Sequence, residues 1–322
     1  MQGDNLKSYL HLHFIVFVWG FTAVLGALIS LEAFPLVWFR MCIASALIFI
    51  YIKIRKIPLE VPRKMFGVFI FSGLVIALHW FTFFEAIKVS NVSLTLACLS
   101  TGAFFASLLE SLLYGKRVVW YELLMGFVVI IALCIIIYGE YALHILSELF
   151  TNPLEIGDAI AAVSPGQPTQ YWGILLALTS AFLSATFAII NARFAKEYNP
   201  STISFYELAG GVGFFSIFLL FSGSFTPEFF ILSANDWLWL FILGSFCTAY
   251  AFIASVQVMK FLSPYTVMLT INLEPVYGII LAVLVFKDKE KMGMPFYIGA
   301  AIIIITVVIN GILKNYTSKE SN

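Results

Sequence analysis

The segment Thr270-Ile-Asn-Leu-Glu-Pro-Val-Tyr277 lies within an apolar run that extends from about residue 265 to residue 286. A run of this length is long enough to cross a bilayer. Within it, Glu274 places a carboxyl group at membrane depth, where an ionisable side chain is costly and normally faces protein or water. Pro275 follows directly and frees a backbone carbonyl that something else must satisfy. The pair predicts either a kinked helix with one buried glutamic acid or a functional polar break inside a membrane.

The composition of the whole chain indicates a membrane protein. Hydrophobic residues make up 61% of the 322 residues, charged residues make up 11%, and the mean hydropathy is +0.98. A soluble domain of this size does not need so much apolar surface. The formal net charge is zero, which gives no electrostatic case for nucleic acid or a soluble acidic partner. The four cysteines lie in apolar segments without metal-ligand spacing, so we expect neither a metal nor another cofactor.

The apolar segments predict an all-α polytopic membrane protein with ten transmembrane helices. They run approximately over residues 12–31, 35–52, 66–86, 92–114, 118–138, 171–192, 201–223, 237–258, 265–286 and 293–313. With the N-terminus in the cytoplasm, 13 of the 18 Lys and Arg fall on the cytoplasmic side, 4 fall outside and Arg40 lies within a helix. The positive-inside rule therefore predicts cytoplasmic termini. We expect a multi-pass protein of the plasma membrane, which is the inner membrane in a bacterium.

The two halves of the chain resemble each other. Ala86-Ile87-Lys88 matches Val258-Met259-Lys260, and Gly126 matches Gly299, which lies 173 residues later. Each half has five segments, an odd number, so the second half must be inverted relative to the first. Inverted repeats place a transport site at their interface near the membrane midplane. The predicted divisions are a first repeat (1–138), an extracytoplasmic linker (139–170) and a second repeat with a short cytoplasmic tail (171–322). The linker is expected to be flexible, with a short interfacial helix at residues 143–150 as the alternative.

A small set of ionisable residues lies at membrane depth. It comprises Arg40, His79, Glu85, Glu110, Glu122, Glu207 and Glu274. Three of the glutamates, at positions 85, 110 and 122, are near helix ends and are expected to reach the interface. Arg40 and Glu207 are expected either to form ion pairs within the protein or, for Arg40, to clamp a carboxylate. His79 is either a hydrogen-bonded core residue or a proton-coupling group.

Aromatic and uncharged polar residues near these groups suit a pocket for a small amphipathic metabolite. The predicted substrate-binding residues are Trp19, Thr22, Arg40, His79, Trp80, Phe83, Asn191, Tyr250, Asn272, Glu274 and Tyr277. We expect His79 or Glu274 to couple protons, and Gly20 and Pro275 to act as hinges. No metal-ligand cluster, nucleophile elbow or glycine-rich phosphate loop is present in the sequence, so an enzyme is not expected.

With these residues in view, the chain resembles the EamA-type permeases of the drug/metabolite transporter superfamily over residues 12–313. The resemblance rests on Trp19-Gly20, Arg40 five residues after Pro35, Ala86-Ile87-Lys88, the 272–277 motif, and the pair Gly126 and Gly299. It implies a ten-helix carrier with inverted repeats that moves amino acids, other small metabolites or drugs, frequently as an exporter. The chain departs from the family at Thr101-Gly102, where relatives often have a proline aligned with Pro275.

We therefore expect a secondary transporter that exports a small metabolite, with amino acids among the candidates, by alternating access. An uptake permease or a multidrug exporter is the alternative within transport, and flux direction and drug resistance would distinguish these. A membrane sensor or assembly factor with a carrier-like fold is the alternative of another class, and it predicts no flux. The expected partners are the metabolite and the lipid bilayer, and a homodimer is left open.

Overall fold

The computed structural model describes residues 2–114, 120–151, 168–194, 197–258, 261, 270–271, 273–290 and 292–320. Its helices are α1 (Gln2–Leu28), α2 (Ala33–Arg55), α3 (Arg63–Val89), α4 (Val92–Leu99), α5 (Gly102–Tyr114), α6 (Trp120–Thr151), α7 (Pro168–Phe194), α8 (Pro200–Phe221), α9 (Ala234–Gly244), α10 (Ala251–Val258), α11 (Glu274–Phe286) and α12 (Met294–Glu320). A π-helix, Ser245–Tyr250, joins α9 to α10. Short 3-10 helices occupy Pro227–Phe230 and Lys287–Glu290. Within the described residues the chain is all-α, as predicted.

Membrane-spanning character is evident from the helices themselves. In the described part of the chain, seven helical segments are long and apolar enough to cross a membrane. Two shorter apolar stretches, Val92–Ala106 in α4 and α5 and Met294–Thr306 in α12, are also present. The predicted segment 265–286 lies partly outside the described residues. A multi-pass membrane protein is therefore confirmed, while the number of ten spans stays a prediction.

The predicted boundary after residue 138 falls inside a helix. α6 continues to Thr151, so residues 143–150 form the last part of a long helix and are neither a separate interfacial helix nor a flexible linker. A Cβ atom on Gly139, the first residue of the predicted linker, would overlap Pro295 at the start of α12. The glycine thus serves close helix packing, as small residues do in membrane bundles. The remainder of the predicted linker up to residue 167 lies outside the described residues.

The helices pack in a pattern that is preserved when the two halves are exchanged. If α4 and α5 count as one segment, and α9 and α10 as another, each of the five segments of the first half has a counterpart five segments later in the second half. The contact of α3 with α7 is equivalent to the contact of α1 with α9 and α10. The contact of α3 with α8 is equivalent to that of α2 with α9. The contact of α1 with α11 is equivalent to that of α4 and α5 with α7. Three pairs are their own counterparts, namely α2 with α8, α4 with α11, and α6 with α12. This pattern supports a two-repeat architecture.

α3 of the first half and α8 of the second half approach each other closely. A Cβ atom on Gly73 would overlap the backbone carbonyl of Glu207, and one on Gly210 would lie 3.0 Å from the Cα atom of Ile70. Small residues at such crossings let two membrane helices approach backbone to backbone. α3 also packs along α7, so it lies between two helices of the other half and carries its central residues into the interior.

Two buried carboxylates join the halves at the end of the bundle where α1 terminates. Asp236 accepts hydrogen bonds from the amide and the hydroxyl group of Ser30, each at 2.7 Å. Glu290 accepts hydrogen bonds from the amides of Val92 and Ser93, at 2.8 and 2.9 Å. These amides belong to the first turn of α4, whose N–H groups have no partner within the helix and favour an anion. The second half therefore holds the start of a helix of the first half.

Candidate functional site

Breaks in two repeat-related helices meet inside the protein. α4 ends at Leu99 and α5 begins at Gly102, while α11 begins at Glu274 after a turn. Thr101 and Glu274 are 173 positions apart, the same offset that separates Gly126 from Gly299. Leu99 and Gly102 from the first half and Glu274 from the second half line one cavity of about 90 Å³. Thr101 donates its hydroxyl hydrogen to the carbonyl of Cys98 at 2.7 Å, which satisfies one backbone group near the break.

A larger cavity of about 140 Å³ adjoins the first, and His79, Leu99, Ser184, Ala188, Ile271 and Glu274 line both. Eight of the predicted binding residues line this larger cavity: Trp19, Thr22, Arg40, His79, Trp80, Phe83, Asn191 and Glu274. They come from α1, α2 and α3 of the first half and from α7 and α11 of the second. The two cavities together are called the central cavity below.

Arg40 carries a positive charge to the wall of the central cavity. Its side chain is 2% exposed, and Nε donates a hydrogen bond of 2.7 Å to Oγ1 of Thr248. The guanidinium carbon lies 3.9 Å from the ring centroid of Trp80, a cation–π contact. Nη1 is buried and has no hydrogen-bond partner among the described residues. An unsatisfied charged donor beside a cavity is suited to an anionic ligand.

The π-helix is what places Thr248 against Arg40. Its wider turn lets Oγ1 of Thr248 donate to the carbonyl of Leu243, five residues earlier, at 2.7 Å. The same oxygen keeps a lone pair for Nε of Arg40. Short π-helical turns are frequent at functional sites. The geometry thus fixes the guanidinium group while leaving Nη1 without a hydrogen-bond partner among the described residues.

His79 is held by α7. Its Nδ1 atom lies 2.9 Å from the carbonyl oxygen and 2.8 Å from the hydroxyl oxygen of Ser180, and that hydroxyl group is 3.1 Å from the carbonyl of His79. A carbonyl oxygen only accepts, so Nδ1 donates to it and Nε2 becomes the acceptor of the neutral ring. Because His79 lines the central cavity, Nε2 is the ring atom left for a ligand or a proton.

Glu274 and Asn191 provide oxygen atoms from the second half. The carboxyl group of Glu274 forms no hydrogen bond or ion pair within the described part of the chain, and it lines both cavities. Asn191 donates from Nδ2 to Oε1 of Glu207 at 2.7 Å, which leaves its Oδ1 atom as an acceptor. Glu207 is 1% exposed, also accepts from Ser72 at 2.7 Å, and does not line the central cavity.

The expected ion pairs of Arg40 and Glu207 are not formed among the described residues. Arg40 has a hydroxyl partner and an aromatic ring, while Glu207 has a hydroxyl and an amide partner. The two side chains lie on helices that pack together, but the carboxyl group and the guanidinium group contact different residues. The role of Glu207 is therefore to hold Ser72 of α3 and Asn191 of α7 together.

Two predicted binding residues, Tyr250 and Tyr277, do not line the central cavity, and the position of a third lies outside the described residues. The hydroxyl group of Tyr250 lies 2.5 Å from Nε2 of His11, and the side chain is 37% exposed. Tyr277 packs its ring edge against Phe17, with 5.8 Å between ring centroids. Asn272 lies outside the described residues.

Both predicted hinge residues lie at the junction of α1 and α11. A Cβ atom on Gly20 would lie 2.9 Å from Cβ of Tyr277 and 3.1 Å from the carbonyl oxygen of Glu274. Pro275 lies in the first turn of α11, where its missing N–H group costs no helical hydrogen bond. The absence of a side chain at Gly20 thus lets α1 and α11 pack closely. A hinge motion at Gly20 or Pro275 remains a prediction.

Sequence reasoning missed several residues that shape the site. Thr248 and Ser180 orient Arg40 and His79, and Phe187, Phe252 and Ser184 line the cavity. One signal was available for α7, because Ser180, Ser184 and Ala188 recur every four residues and mark one small-residue face. Nothing in the sequence marks the π-helix around Thr248.

Comparison with known proteins identifies the family. The model of the EamA-like transporter family matches residues 6–138 and 171–312, which are most of both halves. No curated protein matches the chain. Among solved structures, 27 chains match. One, described only as "Crystal structure of protein", has a TM-score of 0.62 and 15% identity, and the match covers 96% of this chain and 98% of that chain.

The structural likeness at this identity shows the fold alone, whereas the family match extends over both repeats. It confirms the resemblance that the motifs indicated. Members of this family are membrane transporters, in agreement with the apolar helices of the described chain. The chain therefore belongs to the EamA-like transporter family.

Proposed function

We propose that this protein exports a small metabolite that carries a carboxylate, with amino acids as the leading class, across the plasma or inner membrane. The observation that carries the proposal is the Nη1 atom of Arg40 beside the central cavity, which has no hydrogen-bond partner in the described part of the chain, with Glu274 on the wall of the same cavity. Arg40 would bind the carboxylate. Glu274 and Oδ1 of Asn191 would accept hydrogen bonds from an amino group, and the aromatic walls would cover the apolar part of the substrate.

The size of the cavity favours a metabolite over a bulky drug. Its volume of about 140 Å³ is close to that of an engineered apolar cavity of about 150 Å³ that holds one benzene molecule. The adjoining space of about 90 Å³ extends it toward the two helix breaks. A compound of a few tens of heavy atoms would require the halves to separate, whereas a small amino acid would not.

The two-repeat packing supports alternating access. An odd number of segments in each half would invert the second repeat, and inverted repeats give two equivalent packings that open to opposite sides. The central cavity lies between the halves and includes both repeat-related breaks, as midplane transport sites do. Exchange of the two packings would carry the substrate across while the cavity residues stay together.

Proton coupling is best supported for Glu274. A group that couples protons must gain and lose its proton during the cycle, and a fixed hydrogen-bond partner opposes this. Nδ1 of His79 is held by Ser180, whereas the carboxyl group of Glu274 forms no hydrogen bond within the described residues and interacts with the charge of Arg40 only at longer range. Glu274 would then bind the amino group or a proton in alternation, which links substrate release to proton entry.

The proposal is tested by metabolite profiling of cells that express the wild type, Glu274→Gln or Glu207→Gln at matched membrane abundance. Medium and cytoplasm would be analysed by mass spectrometry. We expect one class of small carboxylates to accumulate in the medium with the wild type and Glu207→Gln, and not with Glu274→Gln. The Glu207 variant is the matched control because it neutralises a buried carboxyl group that does not line the cavity, while the amide oxygen of glutamine can still accept the hydrogen bonds of Ser72 and Asn191.

Other outcomes would overturn parts of the proposal. Accumulation inside the cells would indicate uptake in place of export. Resistance to several drugs without a metabolite signal would indicate multidrug export. Equal profiles for the wild type and Glu274→Gln would remove Glu274 from the mechanism. No flux of any compound, together with a soluble partner on the 53–64 loop, would favour a sensor.

A further inference from the structure

A second cavity, separate from the transport site, opens on the side of the bundle between α1, α2 and the segment from Ser245 to Phe261. Its volume is about 540 Å³, within the range of about 300–1,000 Å³ that is usual for ligand sites. It shares no lining residue with the central cavity. It is called the lateral groove below, and it lies toward the end of the bundle at which α1 begins.

The walls of the lateral groove are mostly apolar. Ser8, Tyr51 and Gln257 lie toward the end of the bundle at which α1 begins, and Ser245 lies deeper, in the π-helix. Leu47, Ala249 and Ile253 are among the apolar lining residues. Ser8 lies one turn before His11 in α1, and His11 forms a hydrogen bond of 2.5 Å to the hydroxyl group of Tyr250. An apolar channel with hydroxyl and imidazole groups at its mouth fits an amphipathic ligand that places its chain inside and its polar group at the membrane interface.

Basic residues lie directly beyond this polar mouth. Lys7 precedes His11 by four residues in α1, and Arg55 follows Tyr51 by four residues in α2, so each lies one turn beyond a lining residue on the same helical face. Both side chains are exposed. The sequence of α2 and of the 245–261 segment contains no acidic residue, and α1 contains Asp4 alone. The mouth therefore offers a net positive charge to a ligand.

We propose that the lateral groove binds one anionic phospholipid. Its acyl chain lies between α1, α2 and α10, and its phosphate contacts Lys7, Arg55 and the His11–Tyr250 pair. Basic pockets between membrane helices recognise acidic lipid headgroups by this combination of charge and apolar depth. A zwitterionic lipid has the same chains and no net charge, so the basic mouth does not favour it.

The lateral groove and the central cavity share helices, so a lipid bound in the groove contacts elements that also form the transport site. Ile253 and Gln257 of α10 line the groove, while Phe252 and Ser255 of the same helix line the central cavity. Ser245 and Ala249 of the π-helix line the groove as well, and this helix positions Thr248 against Arg40. A lipid in the groove therefore packs against the element that orients the cavity arginine.

The test is native mass spectrometry of the full chain in detergent, titrated with dioleoylphosphatidylglycerol or dioleoylphosphatidylcholine. We expect one phosphatidylglycerol to bind at least about tenfold more tightly than phosphatidylcholine. The double variant Lys7→Gln/Arg55→Gln should weaken phosphatidylglycerol binding by about 30-fold, since each basic residue near a membrane surface contributes about a fivefold effect. Phosphatidylcholine binding should not change.

Two further variants distinguish a specific lipid site from non-specific attraction of anionic lipids to basic residues. Arg63→Gln/Lys64→Gln removes two charges at the same end of the bundle but outside the groove, and it should bind phosphatidylglycerol as the wild type does. Gln257→Trp fills the groove from an exposed position and should abolish phosphatidylglycerol binding with all basic residues in place. Equal affinity for both lipids, equal loss in the Arg63/Lys64 control, or undiminished binding to the Gln257 variant would overturn the proposal. None of these measurements depends on transport activity.

Discussion

Arg40 is one of the largest fully buried side chains in the protein, and its charge is only partly compensated. Nε has a hydroxyl partner and Trp80 covers one face of the guanidinium group, but Nη1 has no partner among the described residues. Leaving a buried charged donor unsatisfied costs about 1–3 kcal/mol or more. A cation–π contact returns about 2 kcal/mol when desolvated. The arginine therefore contributes little net stability, and a ligand explains it better than the fold does.

We predict that Arg40→Met abolishes transport while the free energy of unfolding changes by less than about 1 kcal/mol. Methionine is an unbranched apolar residue that removes the buried charge and its unsatisfied donor, and it loses the cation–π contact and the hydrogen bond from Nε to Thr248, so the gain and the losses nearly cancel. Flux into vesicles and the midpoint of thermal unfolding in detergent check the two parts. Arg40→Lys serves as the companion variant, because it keeps the charge and loses the planar group.

A large fall in the unfolding midpoint for Arg40→Met would show that the arginine supports the fold, and undiminished flux would remove it from substrate binding. Arg40→Lys should also transport poorly, since an ammonium group neither stacks on Trp80 in the same way nor reaches Thr248 through an Nε atom. Full activity of the lysine variant would mean that charge alone is sufficient.

The crossing of α3 and α8 depends on residues without side chains. A Cβ atom on Gly73 would overlap the backbone of Glu207, whereas a Cβ atom on Gly67, in the same helix, would meet nothing within 4 Å. The two glycines therefore form a matched pair for a test of helix packing. They lie less than two turns apart and differ in their surroundings.

We predict that Gly73→Ala destabilises the protein by about 1–3 kcal/mol, because overpacking forces α3 away from α8. Gly67→Ala should be neutral or stabilising by up to about 1 kcal/mol, since alanine is the better helix former. Thermal unfolding in detergent measures both. Equal effects of the two substitutions would contradict the close crossing.

Glu290 belongs to the contact between the 3-10 turn and the start of α4. We predict that Glu290→Ala destabilises the protein by about 1–3 kcal/mol, because it leaves the amides of Val92 and Ser93 without an acceptor. Asp288→Ala removes an exposed carboxylate from the same turn and should have a negligible effect. Unfolding midpoints that fall by the same amount for both variants would show that only the net charge of the turn matters.

Much of the architecture is legible in the sequence, for physical reasons. A bilayer of fixed thickness requires apolar runs of fixed length, so the runs predict the helices. Lipid excludes unpaired charges, so Arg40, His79 and Glu274 at membrane depth predict the interior, and all three line the central cavity. The sequence thus predicts how deep in the membrane a residue lies, and this depth was sufficient to identify eight of the residues that line the central cavity.

The sequence does not predict in the same way which side of a helix faces the cavity, or where the helix changes its pitch. Tyr250 has suitable depth and chemistry, but it ends a π-helix and faces the lateral groove. Tyr277 likewise lies at a suitable depth but packs on Phe17 of α1. The predicted linker begins at residue 139, but α6 continues to Thr151, where Gly139 packs against Pro295 of α12. These features depend on neighbours that only the packed molecule supplies.

The most direct test of the transport account uses proteoliposomes loaded with a mixed extract of cytoplasmic metabolites, with compounds released to the outside identified by mass spectrometry. We predict that the wild type and Glu207→Gln release the same small set of carboxylates. Glu274→Gln and Arg40→Met should release no more than protein-free liposomes do. Release of the same compounds by all four proteins, or by none of them, would contradict the claim that the central cavity carries a substrate across the membrane.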